Sequence, residues 1–176
     1  MDRLVDLFAR KYAVLALAEL LRHDGAKVVS LAYALEASRG AIRATLDELV
    51  ERGWVRRNPG YGHPLRPEYV LTRSGERVAA KCAELERLLR KAGARDVALR
   101  KWPLPVLFSI GRKGARFSEI GARLPEATDR ALSLSLRDLT SAELATRRVL
   151  DHAPPTTLYR PTAGGLTLLP ALASLA

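Results

Sequence analysis

One cysteine, Cys82, stands alone in the chain, so neither an intramolecular disulfide nor a cysteine metal cluster can form. Histidine is almost as scarce. His23, His63 and His152 fall in three separate loops, no two of them share a helix face, and no metal site is expected. No stretch approaches the roughly 20 uninterrupted apolar residues that span a bilayer. The beginning, Met1-Asp2-Arg3-Leu4-Val5-Asp6, has no basic segment leading into an apolar run, so a cytoplasmic protein without a signal peptide is expected. A phosphate-cradling glycine motif is missing too, because Gly60-Tyr61-Gly62 lacks the strand-to-helix context that such a motif needs. No nucleophile stands beside a plausible base, so neither an enzyme nor a cofactor is expected. Aromatic residues make up only 6% of the chain. Tyr12, Trp54 and Trp102 read as core anchors, and Cys82, between Val78 and Leu85 on an apolar helix face, reads as a core residue before an oxidant sensor.

What the chain does have is positive charge, a net +10. An excess of that size attracts polyanions, either nucleic acid or an acidic membrane surface, although charge alone is also compatible with no such partner. The 176 residues suit one large domain or two compact ones. Alanine, leucine and arginine usage fits a GC-rich bacterial genome.

Sliding the sequence along itself by 90 positions favours two domains. Lys11-Tyr12 falls on Lys101-Trp102, and Leu46 and Leu49 fall on Leu136 and Leu139. Gly25-Ala26-Lys27-Val28 falls on Gly114-Ala115-Arg116-Phe117 with a one-residue slip, and Tyr69-x-x-Thr72-x-x-Gly75 meets Tyr159-x-x-Thr162 followed by Gly164-Gly165. Charge divides evenly as well. Residues 1–92 carry 17 Lys and Arg against 12 Asp and Glu, residues 93–176 carry 12 against 7, and each half nets +5. The expected domains are therefore 1–92 and 93–176.

Within the first half, Leu4, Phe8, Leu15, Leu17 and Leu21 have helical spacing, and His23-Asp24-Gly25 ends the helix they predict. Ser30 is expected to cap a short helix, Ser38 a second over about 38–52, and Ser74 a long one reaching Lys91. The second of these buries Ile42, Leu46, Leu49 and Val50 and turns Arg39, Arg43 and Asp47 outward. Between the last two, 54–57 and 67–72 read as strands around a loop rich in turn residues. The second half repeats the order: a helix from Trp102 to Ile110, a short one from Ser118, one over 128–141 capped by Thr128, strands at 144–150 and 157–160, and an apolar C-terminal helix interrupted near Pro170. Two short helices joined by a tight turn and followed by a β-hairpin form a helix-turn-helix with a wing. The fold class is thus mainly α with small β-hairpins, an α+β arrangement of two tandem winged helix-turn-helix domains.

Lys101-Trp102, Arg116-Phe117-Ser118-Glu119-Ile120, Leu132-Ser133-x-Ser135-Leu136-Arg137-Asp138-Leu139, Arg147-Arg148 and Pro154-Pro155-x-x-x-Tyr159 together resemble the HxlR-type winged-helix regulators, relatives of the MarR type. The first half is similar to a more generic MarR-like winged helix through Leu46-x-x-Leu49-x-x-x-Gly53-Trp54-Val55 and Leu71-Thr72-x-x-Gly75. The resemblance implies a bacterial transcription factor, commonly a repressor, that binds palindromic operator DNA as a dimer and can answer to a small-molecule effector. Glu143 stands where the family usually has a glycine before the wing, and the second wing is partly apolar.

A helix fits the major groove and reads base edges from its N-terminal part. In the first domain the candidates are Ser38, Arg39, Arg43 and Thr45, and in the second Thr128, Arg130, Ser133 and Arg137. Wings follow the phosphate backbone or the minor groove. There the candidates are Arg56, Arg57, His63 and Arg66 in the first wing, and Arg147, Arg148, His152 and Arg160 in the second. The same arginines can also serve only to solvate exposed faces, and Arg137 can pair with Asp138 or Glu143. Two such domains in one chain can act as an intrachain pseudo-dimer. The apolar ends Leu4-Phe8 and Leu166–Leu172 can instead pair two chains into a homodimer. A winged-helix module that docks on protein, and a nonspecific nucleic-acid binder, are the competing readings.

Overall fold

A computed structural model describes residues 1–58, 68–150 and 156–176. These residues are mostly helical with small antiparallel sheets, and they divide into two compact units, Arg10–Arg87 and Met1–Ala9 with Leu88–Ala176. The boundary expected at 92/93 thus falls between Arg87 and Leu88 instead, inside a helix, and the N-terminal residues belong to the second unit.

That division explains why the single helix expected from Leu4 to Leu21 is two, α1 (Asp2–Phe8) and α2 (Ala13–Arg22). Leu4 and Phe8 bury in the second unit, while Leu15, Leu17 and Leu20 bury in the first. One apolar stripe in the sequence serves two cores, so periodicity alone could not locate the break between them.

In the first unit α2 ends where Asp24 and Gly25 both take positive φ, and the Gly25 N–H donates to the Leu20 carbonyl at 2.9 Å. Then come α3 (Val28–Ala34), α4 (Arg39–Glu51), β1 (Val55–Arg57), β2 (Tyr69–Leu71) and α5 (Arg73–Lys91). Ser30 lies inside α3 and does not cap it. The Glu68 carboxylate accepts from the first-turn Val28 N–H at 3.2 Å, supplying from outside the helix what a cap residue would supply locally. Ser38 does cap α4, its Oγ accepting from the Ala41 N–H at 3.2 Å. β1 and β2 pair antiparallel with Val55 opposite Leu71. Thr72, not Ser74, caps α5: its Oγ1 accepts from the Gly75 N–H at 3.0 Å and donates to the Gly53 carbonyl at 2.7 Å. Ile42, Leu46 and Leu49 of α4 are buried among α2, α3 and β1. Burial of each such side chain contributes about 1.5–3 kcal/mol.

In the second unit, a 3-10 turn (Arg95–Leu99) that the sequence pattern does not announce precedes α6 (Pro103–Ile110), β3 (Ala115–Arg116), α7 (Phe117–Arg123), α8 (Asp129–Ser141), β4 (Ala145–Leu150), β5 (Thr156–Pro161) and α9 (Ala163–Leu175). The sheet order is β3-β5-β4, all neighbours antiparallel. α9 continues through Pro170, where an interruption was expected. α1 contacts α9 in this unit, and Leu4, Phe8, Leu168 and Leu172 are all buried. Of the apolar ends expected to pair two chains, Leu4, Phe8, Leu168, Leu169 and Leu172 are thus buried within one chain, and Leu166 is half-buried.

Several hydrogen bonds of the first unit have a counterpart in the second. Thr162 Oγ1 accepts from the Gly165 N–H at 3.0 Å and donates to the Glu143 carbonyl at 2.6 Å, as Thr72 does to its own neighbours. A Cβ on Gly75 would lie 1.8 Å from the Trp54 carbonyl oxygen, and one on Gly165 would lie 2.0 Å from that of Leu144, so only glycine fits either position. Thr45 and Ser135 are both buried and donate to the carbonyls of Ala41 and Ala131, at 2.9 and 2.7 Å. Lys11 lies over the Tyr12 ring and Lys101 over the Trp102 ring, 5.0 and 4.5 Å from the ring centres. From Ser38 to Glu51 and from Thr128 to Ser141, buried and exposed positions follow the same pattern.

Candidate nucleic-acid interface

The outward face of α4 follows from its inward one. With Ile42, Thr45, Leu46 and Leu49 buried, the helical period turns Arg39, Gly40, Arg43, Ala44 and Asp47 to solvent. Arg39 and Arg43 lie one turn apart, exposed and without an ion pair among the described residues. Ser38 is exposed, but its hydroxyl oxygen is engaged in the helix cap. Thr45 must be withdrawn from the expected contacts. It is 3% exposed, and its hydroxyl is satisfied by the Ala41 carbonyl inside the same helix.

α4 is held against its unit by charge at its far end. Glu48 pairs with Arg10 and, at 2.9 Å, with Arg52. Burial works against ionisation of Glu48, but the two guanidiniums overcome it and hold the carboxyl below its usual value. Arg52 also stacks 5.6 Å from the Trp54 ring centre. In α8 the equivalent carboxylate is Asp138, whose two oxygens accept from Arg100 Nη1 at 2.8 and 2.7 Å. In both units the arginine precedes its carboxylate by 38 residues. Neither arginine was singled out from sequence; that repeated spacing is the signal that could have found them.

β1 carries Arg56 and Arg57 on successive residues, which point to opposite faces of a strand. Both are exposed, as expected of a narrow ribbon open on both sides, and Arg57 Nη2 lies 3.8 Å from Asp47 Oδ1 on α4. His63 and Arg66 lie outside the described residues.

α8 presents the same face with other side chains. Thr128 is exposed and caps the helix through the Ala131 N–H at 3.2 Å. Asp129, Arg130, Ser133, Leu134 and Arg137 are exposed. Arg137 does not form the pair with Asp138 that was considered, because Asp138 is taken by Arg100. Arg147 and Arg148 are exposed on β4, and Arg160 on β5, where it pairs in register with Thr146. His152 lies outside the described residues. Val149, in the wing expected to be partly apolar, is 50% exposed on β4; sequence reasoning passed over other exposed apolar groups, Tyr33 at 89% and Val29 at 53% exposure on α3 and Leu134 at 43% on α8. An exposed residue on an otherwise regular apolar stripe has no signature of its own, so these needed coordinates.

Among the described residues no group of three His, Cys, Asp or Glu is placed to hold a metal, and no helix is long and apolar enough to cross a membrane. Cys82 is fully buried in the first unit, where burial pushes its thiol up to about 12. A buried neutral thiol is inert, which fits a core role.

The sequence profile of the HxlR-like helix-turn-helix family matches residues 97–176. An HTH-type transcriptional regulator of Methanothermobacter thermautotrophicus is 39% identical over 75 residues, a stretch covering 43% of this chain and 57% of that protein. The HTH-type transcriptional regulator YvaP of Bacillus subtilis is 31% identical over 80 residues, 46% of this chain and 74% of YvaP. Among solved structures, similarity extends to a MarR-family transcriptional regulator of Porphyromonas gingivalis W83, with 25% identity, a TM-score of 0.45, and coverage of 49% of this chain and 83% of that one. It also extends to diamide-treated YodB of B. subtilis, with 22% identity, a TM-score of 0.41, and coverage of 54% of this chain and 85% of that one. The chain belongs to the HxlR-like helix-turn-helix family of transcriptional regulators.

Proposed function

We propose that the chain is a sequence-specific DNA-binding repressor whose two units are tandem winged helix-turn-helix domains arisen by duplication. One observation carries the DNA reading. In each unit an outward helix face bearing free arginines, Arg39 and Arg43 or Arg130 and Arg137, accompanies an open ribbon bearing more, Arg56 and Arg57 or Arg147 and Arg148. An arginine fork matches guanine O6 and N7 in the major groove, and ribbon arginines neutralise phosphates. The recurrence of Thr72–Gly75 at Thr162–Gly165, and of Arg10–Glu48 at Arg100–Asp138, supports duplication. With two such helices per chain, and Leu4, Phe8, Leu168 and Leu172 buried within it, a single chain is taken as the binding unit.

A second reading has its own observation. Leu134 and Val149 are exposed apolar groups on the helix and ribbon of the second unit, which suits docking on protein. A gel shift of the full chain on the promoter region beside its own gene, with and without excess unrelated DNA, separates the readings. The repressor reading expects a shift that survives competitor at one chain per site. A shift abolished by competitor indicates nonspecific binding, and no shift at micromolar protein supports protein docking.

A further inference from the structure

We infer that α4 and α8 read different base sequences, so that the DNA site of this chain combines two unlike half-sites. The inference rests on the DNA reading above and goes beyond it, because the family resemblance leads one to expect a palindrome. A palindrome suits two copies of one helix face. Here the scaffolds are the same and the faces are not.

The equivalence of the scaffolds is fixed by groups engaged within each unit rather than by the five outward residues compared below. Ser38 and Thr128 cap the two helices identically, Thr45 and Ser135 donate back to the same backbone position, and Glu48 and Asp138 tie each helix to an arginine. The buried and exposed pattern then assigns each outward residue of one helix a counterpart on the other. Arg39 corresponds to Asp129, Gly40 to Arg130, Arg43 to Ser133, Ala44 to Leu134 and Asp47 to Arg137. No counterpart pair keeps its chemistry. At the first and last of these positions the charge reverses sign, a change that cannot serve one base pattern twice, because a carboxylate is repelled where a guanidinium is attracted.

Base-edge chemistry gives the direction of the difference. Arg39 and Arg43, one turn apart and flanked by the small Gly40 and Ala44, suit guanines approached closely. Leu134 has nothing to hydrogen-bond with and suits a thymine methyl, Ser133 accepts several bases, and Arg130 and Arg137 place guanine readout at other positions of the face. All of these side chains are exposed, so packing did not choose them.

The test is selection of a randomised 40-base-pair duplex library by the full chain. The same selection is run with a variant carrying Asp129→Arg, Arg130→Gly, Ser133→Arg, Leu134→Ala and Arg137→Asp, which gives α8 the outward chemistry of α4. Matching circular dichroism and melting curves for the two proteins exclude misfolding as the cause of a lost motif. The expected wild-type motif contains two different half-site sequences, with a thymine in one whose replacement weakens binding about 5-fold or more, an effect lost in Leu134→Ala. The variant is expected to replace that half-site with a copy of the other. A wild-type motif made of copies of one half-site, or of a single half-site, overturns this inference and leaves the DNA reading intact. No enriched motif from the wild type overturns both.

Discussion

The exposed arginines of the two ribbons set a salt dependence that can be worked out in advance. Arg56 and Arg57 on β1, Arg147 and Arg148 on β4, and Arg160 on β5 are all exposed. If each neutralises one phosphate, log Kobs falls with log salt at a slope of about −4.5, and raising salt from about 50 to 200 mM weakens binding about 500-fold. Removing one of them, by Arg148→Ala, should flatten the slope by about 0.9 and weaken cognate and random DNA alike. The fold should not suffer, because an exposed ribbon position away from caps and core contributes within about 0.5 kcal/mol. Arg43→Ala should behave differently, costing about 1–3 kcal/mol on the cognate duplex, little on random DNA, and leaving the slope nearly unchanged. Fluorescence anisotropy across a salt series, on one cognate and one random duplex, measures all of this. A slope shallower than about −2, or an Arg43→Ala loss equal on both duplexes, would refute the division between backbone-holding ribbons and base-reading helices.

Three further outcomes concern the scaffold and the buried thiol. Gly75→Ala and Gly165→Ala each force a Cβ to within 2.0 Å or less of a backbone carbonyl oxygen. They should each cost about 2 kcal/mol or more in urea unfolding, whereas Gly40→Ala, with open space around it, should stabilise by up to about 1 kcal/mol. Glu143 sits at φ 54, so Glu143→Gly removes strain of about 1–2 kcal/mol and returns part of it as unfolded-state entropy. A net gain near 0.5 kcal/mol is expected, and a loss would contradict the strain argument. With its thiol pushed up to about 12, Cys82 should resist a disulfide reagent at neutral pH until denaturant is added, and rapid labelling of the native chain would show the site to be open.

The sequence was most informative wherever one residue did one job. Ser38 and Thr128 as caps, Gly25 as a stop, and Ile42, Leu46 and Leu49 on the inward face of α4 were readable because capping and helical period depend on local chemistry. It misled where a local pattern served a distant partner. The stripe from Leu4 to Leu21 was read as one helix because its two ends bury in different units. Ser30 was read as a cap because Glu68, which does the capping, lies 40 residues beyond Val28 in sequence; Ser74 was read as one because Thr72, two residues earlier, offers the same hydroxyl chemistry. Thr45 looked like a groove contact because burial cannot be seen at a single polar position in a helix. The Arg10–Glu48 and Arg100–Asp138 pairs join residues far apart in the chain, and only folding brings them together.

Guanine methylation interference on the selected duplex tests most directly whether the two helix faces enter the major groove. Methylation at N7 blocks the atom an arginine fork uses, so interference is expected at guanines in two separate segments, with one segment losing its effect when Arg43→Ala replaces the wild type. Interference confined to one segment, or a pattern indifferent to Arg43→Ala, would contradict the account.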